Sequence, residues 1–354
     1  TRNCASRAPA QAPVGAHVRP EEQALSQQQP ATIAIVGAGQ AGGRLASALR
    51  EAGYAGRVVL YGEEPLPPYE RPPLSKEFLA GGRAAPIPCI AEDPHWNEQR
   101  IELRLGCRVA AIDVGAAAVV LADGGREHYD RLVLATGARP RRLQVPGGDL
   151  PGVFYLRTVA DALALHECLV PGSRCVVVGG GLIGLEVAAT AVRSGCEVQV
   201  LEAADRLLAR VAPPPVSAFM QRRHAEHGVR IELGAAVVGI EGPDRARAVV
   251  LADGRRIAAD AVVVGIGAIP EDALATAAGI ACRDGILVDE FGRTSVAGVY
   301  AIGDACRFYN PRYATHQRLE AWNHAQLQPA TVAAHVLGTE RPYAPVPWCW
   351  TDQY

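Results

Sequence analysis

Short apolar runs alternate with glycine-marked turns and helical stretches, and the same order occurs twice along the chain. The segment ATIAIVGAGQAGGRLASALREAGYAGRVVLYGEE (31–64) predicts a strand entering G-x-G-x-x-G at Gly37, Gly39 and Gly42. A helix then runs to Gly53, followed by a second strand over 57–61 and by Glu63. SRCVVVGGGLIGLEVAATAVRSGCEVQVLEAAD (173–205) repeats this with Gly179, Gly181 and Gly184, a helix closing at Gly195, a strand, and Glu202. Each segment reads as a βαβ unit.

The glycine spacing has a physical basis. The first permits a tight turn, the second lets backbone N–H groups approach a pyrophosphate, and the third packs helix against strand. The helix N-terminus then faces the anion, and an acid 23 to 26 residues on can accept hydrogen bonds from a ribose.

Repetition extends to VVLADGGREHYDRLVLATGA (119–138) and VVLADGRRIAADAVVVGIGA (249–268). Each predicts two strands about an Asp-Gly turn and an apolar strand closing on glycine. A second close backbone approach is expected at Thr136-Gly137 and at Gly265-Gly267. SVAGVYAIGDAC (295–306) predicts one more strand, which places Asp304 at its carboxyl end.

The fold class expected is α/β with two Rossmann-like dinucleotide-binding domains. The first covers 31–157 plus 290–340, and the second, 158–289, is inserted in it.

Composition adds few constraints. The 354 residues are 49% apolar and 20% charged, with a net charge of -2, which gives no global reason to expect nucleic acid as a partner. Nine scattered cysteines form no zinc-type spacing, so no metal is expected; they read as small buried hydrophobes in a reducing, cytoplasmic setting. No apolar run is long enough for a membrane helix. Residues 1–30 are rich in Pro, Gln and Ala, with no acid before Glu21, and read as a disordered extension.

The set VGAGQAG, YERPPLSKEFL, LVLATGARPR, YLRT, VVVGGGLIGLEVAATA, VVVGIGAIP, VYAIGDACRF and PWCWTDQY resembles the FAD- and NADH-dependent ferredoxin reductases of bacterial Rieske oxygenase and cytochrome P450 systems. Their relatives include rubredoxin reductase and apoptosis-inducing factor, on a glutathione-reductase-like fold. The resemblance implies FAD on the first fold and NADH on the second, with electrons leaving to a [2Fe–2S] ferredoxin.

Carried over to this chain, Gly37, Gly39, Ala41 and Gly42 would hold the FAD pyrophosphate, and Glu63 the adenosine ribose. Arg71, Lys76, Val109, Thr136, Gly137, Arg157, Asp304 and Trp322 fall at the other flavin positions. Gly179, Gly181, Ile183, Gly184, Gly267 and Glu202 would hold NADH. A carboxylate at Glu202 favours NADH over NADPH, because it would repel a 2′-phosphate; Arg206, four residues on, is the opposing cation.

The flavin-facing cysteines of glutathione-reductase-like and peroxidase-like enzymes are absent from YERPPLSKEFL, which argues against a disulfide or peroxide substrate. The lysine there, Lys76, is the only one beside 34 arginines. Two prolines and Ser75 predict a helix start that puts it in the first turn, an unfavourable place for a cation. The resemblance implies a catalytic pairing beside the flavin with Glu186, otherwise a lone acid in the apolar helix LIGLEVAATAV.

Trp350 would lie near the path to the iron–sulfur partner. His324 stands where family members usually have Asn or Pro, and Ala330 where one of them has an arginine that contacts its ferredoxin. Family members continue past the equivalent of Tyr354, and 341–354 is expected to begin a C-terminal α+β domain that is largely missing. Rubredoxin as acceptor, an NADH oxidase, and an apoptosis-inducing-factor-like redox sensor are the alternatives.

Overall fold

The computed structural model describes residues 31–354; the extension expected over 1–30 lies outside them. Two five-stranded sheets of parallel strands form the frame. The first runs Val299–Ala301, Arg131–Leu134, Ile33–Val36, Val58–Tyr61, Ile101–Arg104, and the second Arg230–Leu233, Glu197–Glu202, Arg174–Val178, Ala261–Val264, Val153–Phe154. Near-continuous Val, Ile and Leu in the central strands reflects burial on both faces, as parallel sheets require.

Helices Gln40–Glu51 and Leu182–Arg193 follow the two glycine turns. Helix Trp322–Val336 packs against the first of them. Duplication reaches the detail of the antiparallel meanders. Strands Val109–Asp113 and Ala118–Leu121 shift register between Val109 and Ala111, and Val237–Glu241 and Ala248–Leu251 do so between Val237 and Gly239.

The edge strands interleave the two units. Val299–Ala301 closes the first sheet after the chain has left the second. Val153–Phe154, expected in the first unit, instead pairs with Val262 and Val263 in the second sheet. Ile286–Val288, expected in the second, pairs with Cys306–Asn310, and Ile286 shares a core with Val36 and Leu134. Both strands pair across the expected bounds, and strands of two or three residues carry too little periodicity to mark such a crossing. Residues 341–354 have no regular secondary structure, and Tyr343 is buried against Phe308 and His324.

Among the described residues no helix is long and apolar enough to cross a membrane and no cluster of metal-ligating side chains occurs. Described cysteines form no disulfide; Cys175, Cys196 and Cys306 are buried, whereas Cys89 and Cys349 are exposed, against the expectation of burial throughout.

Candidate functional site

The two glycine turns face one cleft of about 2040 Å³. All candidate residues line it except Gly42 and Gly184, and geometry explains that division. A Cβ on Gly42 would meet the Gly37 carbonyl oxygen at 1.9 Å, and one on Gly184 the Gly179 oxygen at 2.2 Å. The third glycine of each motif is thus packed against its own turn. Gly37 and Gly179 have φ of +116° and +107°, where a Cβ would strike the Ala135 and Gly265 carbonyls.

The middle glycines differ. A Cβ on Gly39 would meet nothing within 4 Å, and one on Gly181 only the Gly265 oxygen at 3.7 Å. Those two positions leave the backbone open to a ligand. Neither following helix has a side-chain cap or an acid in its first turn, so their unpaired N–H groups and positive dipole ends are offered to the cleft. Two uncapped helix ends facing one cavity fit two diphosphates.

Ala41 is buried against Gly303, and Ile183 is exposed on the cleft wall. Val109 is buried at the start of its strand. Thr136 donates to the Glu271 carbonyl at 2.5 Å, Gly137 has φ +74°, and Gly267 has φ +106°. Strands Ala138–Pro140 and Ala268–Pro270 leave these turns and pair antiparallel, crossing between the units.

The acids differ between the two turns. Glu202 accepts from Gly180 N at 2.6 Å and from Ala204 N at 2.8 Å, which fixes its carboxylate. Val36 pairs with Tyr61 and Val178 with Leu201, so Gly62, not Glu63, is the register equivalent of Glu202. A Cβ at Gly62 would meet the Ala38 side chain at 2.6 Å, which excludes an acid there. Glu63, one step on, is 73% exposed and among the described residues reaches only Arg108, at 4.0 Å. Arg206 donates to the Ala209 and Ala212 carbonyls and to Ser217 Oγ, so its donors are engaged in its own loop.

Arg71 donates to Glu64, Tyr69 Oη and the Arg157 carbonyl, at 2.9, 3.0 and 2.5 Å. Arg157 in turn pairs with Asp304 at 3.1 Å, at the carboxyl end of Val299–Ala301. Trp322 Nε1 is buried without a partner among the described residues, and its ring meets Trp350 edge-to-face at 5.3 Å.

Lys76 Nζ and Glu186 Oε2 pair at 2.7 Å, with side chains only 12% and 6% exposed. Pro72–Ser75 forms a 3₁₀ turn and the helix begins at Glu77, so Lys76 precedes the first turn that the sequence predicted for it. Its ammonium also donates to the Pro72 carbonyl at 2.9 Å. Glu186 gains two partners that the sequence did not show: Ser75 Oγ at 2.5 Å on Oε2 and Thr351 Oγ1 at 2.7 Å on Oε1. His324 is fully buried, stacked on Phe308 and bonded to Tyr343 at 3.1 Å; burial pushes its pKa down to about 4.

Residues 31–328 match the family model described as pyridine nucleotide-disulphide oxidoreductase. The chain is 44% identical over 321 residues to the biphenyl dioxygenase system ferredoxin–NAD(+) reductase component of Paraburkholderia xenovorans (strain LB400), covering 91% of this chain and 78% of that protein. The crystal structure of the ferredoxin reductase for the CYP199A2 system from Rhodopseudomonas palustris superposes with a TM-score of 0.88 at 41% identity, over 91% of this chain and 80% of that one. Putidaredoxin reductase in its covalent complex with putidaredoxin gives 0.89 at 40% identity, over 92% and 80%. With two glycine turns on one cleft and relatives this similar over nine-tenths of its length, the chain belongs to the pyridine nucleotide-disulphide oxidoreductase family.

Proposed function

We propose that this chain is an FAD-containing, NADH-dependent ferredoxin reductase that supplies electrons to a [2Fe–2S] ferredoxin serving an oxygenase. The observation that carries this is the single cleft lined by both uncapped glycine turns, with Lys76 and Glu186 paired where the two units meet. The similarity to reductase components of dioxygenase and P450 systems supports the choice of acceptor.

In this reading Gly37, Gly39 and Ala41 receive the FAD diphosphate at the end of helix Gln40–Glu51, while Gly179 and Gly181 receive that of NADH. Bound FAD supplies the acceptor for a hydride from the nicotinamide and releases electrons singly, which a disulfide-free cleft needs in order to serve a one-electron protein partner.

The side chains position and polarise. Along the flavin side Arg71 donates to the Arg157 carbonyl and the Arg157 guanidinium pairs with Asp304, and the Trp322 indole N–H is free to donate to a ligand there. Glu202, held by two N–H groups, is set to accept from a 2′-hydroxyl and to repel a 2′-phosphate, and Arg206 is engaged elsewhere; both favour NADH. Lysine suits the junction because a slim ammonium pairs with Glu186 while leaving room above it, where a guanidinium fork would not.

The test is reduction of cytochrome c by NADH, with and without [2Fe–2S] ferredoxins of oxygenase systems. Strong stimulation by at least one of them is expected. NADH oxidation that none of them accelerates would overturn the reading.

A further inference from the structure

Three side chains from two distant segments converge on the Glu186 carboxylate, and the second segment gives it an unexpected connection. Lys76 and Ser75 occupy Oε2, and Thr351 occupies Oε1. The Thr351 hydroxyl has one proton to give. Gln353 Nε2 donates to Thr351 Oγ1 at 2.8 Å, so that oxygen already accepts and its own proton goes to Glu186.

The chain of bonds continues outward. With Nε2 donating from Gln353, its Oε1 accepts from His224 Nε2 at 2.6 Å. His224 Nδ1 is then the acceptor for the Tyr354 hydroxyl, at 2.5 Å, and the Tyr354 ring stacks on His227 at 3.7 Å. His224 is fully buried on helix Pro214–Glu226, and burial lowers its pKa, in keeping with the neutral tautomer this pattern requires. From Tyr354 to Glu186 every hydrogen bond therefore runs in one direction, through His224, Gln353 and Thr351. Trp350, beside Thr351, packs on Trp322 of the first unit, so the segment crosses the cleft with a foothold on each side.

We propose that Thr351 is a positioning residue for the Lys76–Glu186 pair, held in place by the Gln353–His224–Tyr354 chain. The claim deepens the reductase reading and rests on it for its functional consequence, but not for its geometry. A carboxylate on a side chain only 6% exposed cannot leave Oε1 bare without turning toward another donor. Turning would break the shared Oε2 contact and release the ammonium. Thr351 thus fixes which carboxylate oxygen faces Lys76.

A chain with a single lysine makes this directly measurable. Acylation of Lys76 by an N-hydroxysuccinimide ester is followed by mass spectrometry on the full chain, with and without FAD, normalised to the α-amino group. Thr351→Val is expected to raise the rate about threefold as the ammonium loses its fixed partner, and Thr351→Ser to leave it unchanged. Gln353→Met, which frees the hydroxyl proton without removing it, is expected to give a smaller rise, about twofold, and covers the case in which Thr351→Val does not fold.

With equal FAD content and equal NADH affinity, stopped-flow reduction of the flavin is expected to slow about fivefold in Thr351→Val and recover in Thr351→Ser. Wild-type acylation rates in both Thr351→Val and Gln353→Met, or a serine variant that behaves like valine, would overturn the proposal. Acylation that responds while no ferredoxin stimulates electron flow would sustain the positioning role and reject the reductase reading.

Discussion

The two nucleotide turns share a backbone and differ in their acids. In both, the first and third glycines are packed against carbonyls and the middle one is open. In the second turn Glu202 is held by two backbone N–H groups. In the first, the matching position is Gly62, packed against Ala38, and the nearest acid, Glu63, is exposed. Under the proposed assignment the second turn has its ribose acceptor fixed in advance, whereas the first offers its acid on a free side chain. A dinucleotide that must enter and leave gains from a preset recognition group, whereas one that stays bound depends less on any single contact.

The largest effect is expected from filling the middle glycines, where the folded backbone has room and φ of -92° and -83° suits any residue. Gly39→Val is expected to fold but to lose FAD, by roughly 100-fold in affinity or more, because the new methyls occupy the diphosphate's approach. Gly181→Val is expected to keep its yellow colour and lose NADH to a similar extent. Flavin absorbance after gel filtration and NADH titration separate the two, and loss of both ligands in either variant would show that the turns are not independent sites.

The acids sharpen the same contrast at a smaller scale. Glu202→Ala removes two charge-assisted bonds as well as the ribose acceptor, and NADH should bind about tenfold more weakly, ~1.4 kcal/mol. Glu63→Ala, at an exposed side chain, should weaken FAD by less than about threefold. Isothermal titration with each ligand measures both. Equal losses would mean that Glu63 is drawn into the site when FAD binds, and that preorganisation is not what separates the turns.

The sequence carried the parts of this site that follow from local rules. Glycines with forced φ, an acid alone in an apolar helix and a lone lysine after two prolines are all visible in short windows, and the family resemblance joined Lys76 to Glu186. What was hidden depends on chain path. Ser75 and Thr351 reach Glu186 from 111 and 165 residues away, and a hydroxyl in sequence gives no sign of what it will bond. The pairing of Arg157 with Asp304, 147 residues apart, was hidden for the same reason, although each had been singled out separately. The offset of Glu63 escaped because spacing from the glycines includes a loop whose length differs between repeats, and only strand register reveals it.

Each unit also buries a histidine, and acid distinguishes the two weakly but measurably. His324 lies behind Asp304 in the first, and His224 under Tyr354 in the second. Burial holds His324 at about 4, below the ~6.5 of an unfolded chain, so the unfolded state takes up a proton that the folded state refuses. The stabilisation from keeping it neutral is complete above pH ~6.5 and is lost as pH falls toward 4. Asp304 opposes this by favouring the charged form, though less than burial disfavours it. Between pH 6.5 and 5.5 the loss should reach about 1 kcal/mol, or about 2 °C in Tm. His324→Asn should remove that part of the pH slope, whatever it does to stability at pH 8, and leave the part due to His224. An unchanged slope in calorimetry would mean that His324 gains no proton on unfolding.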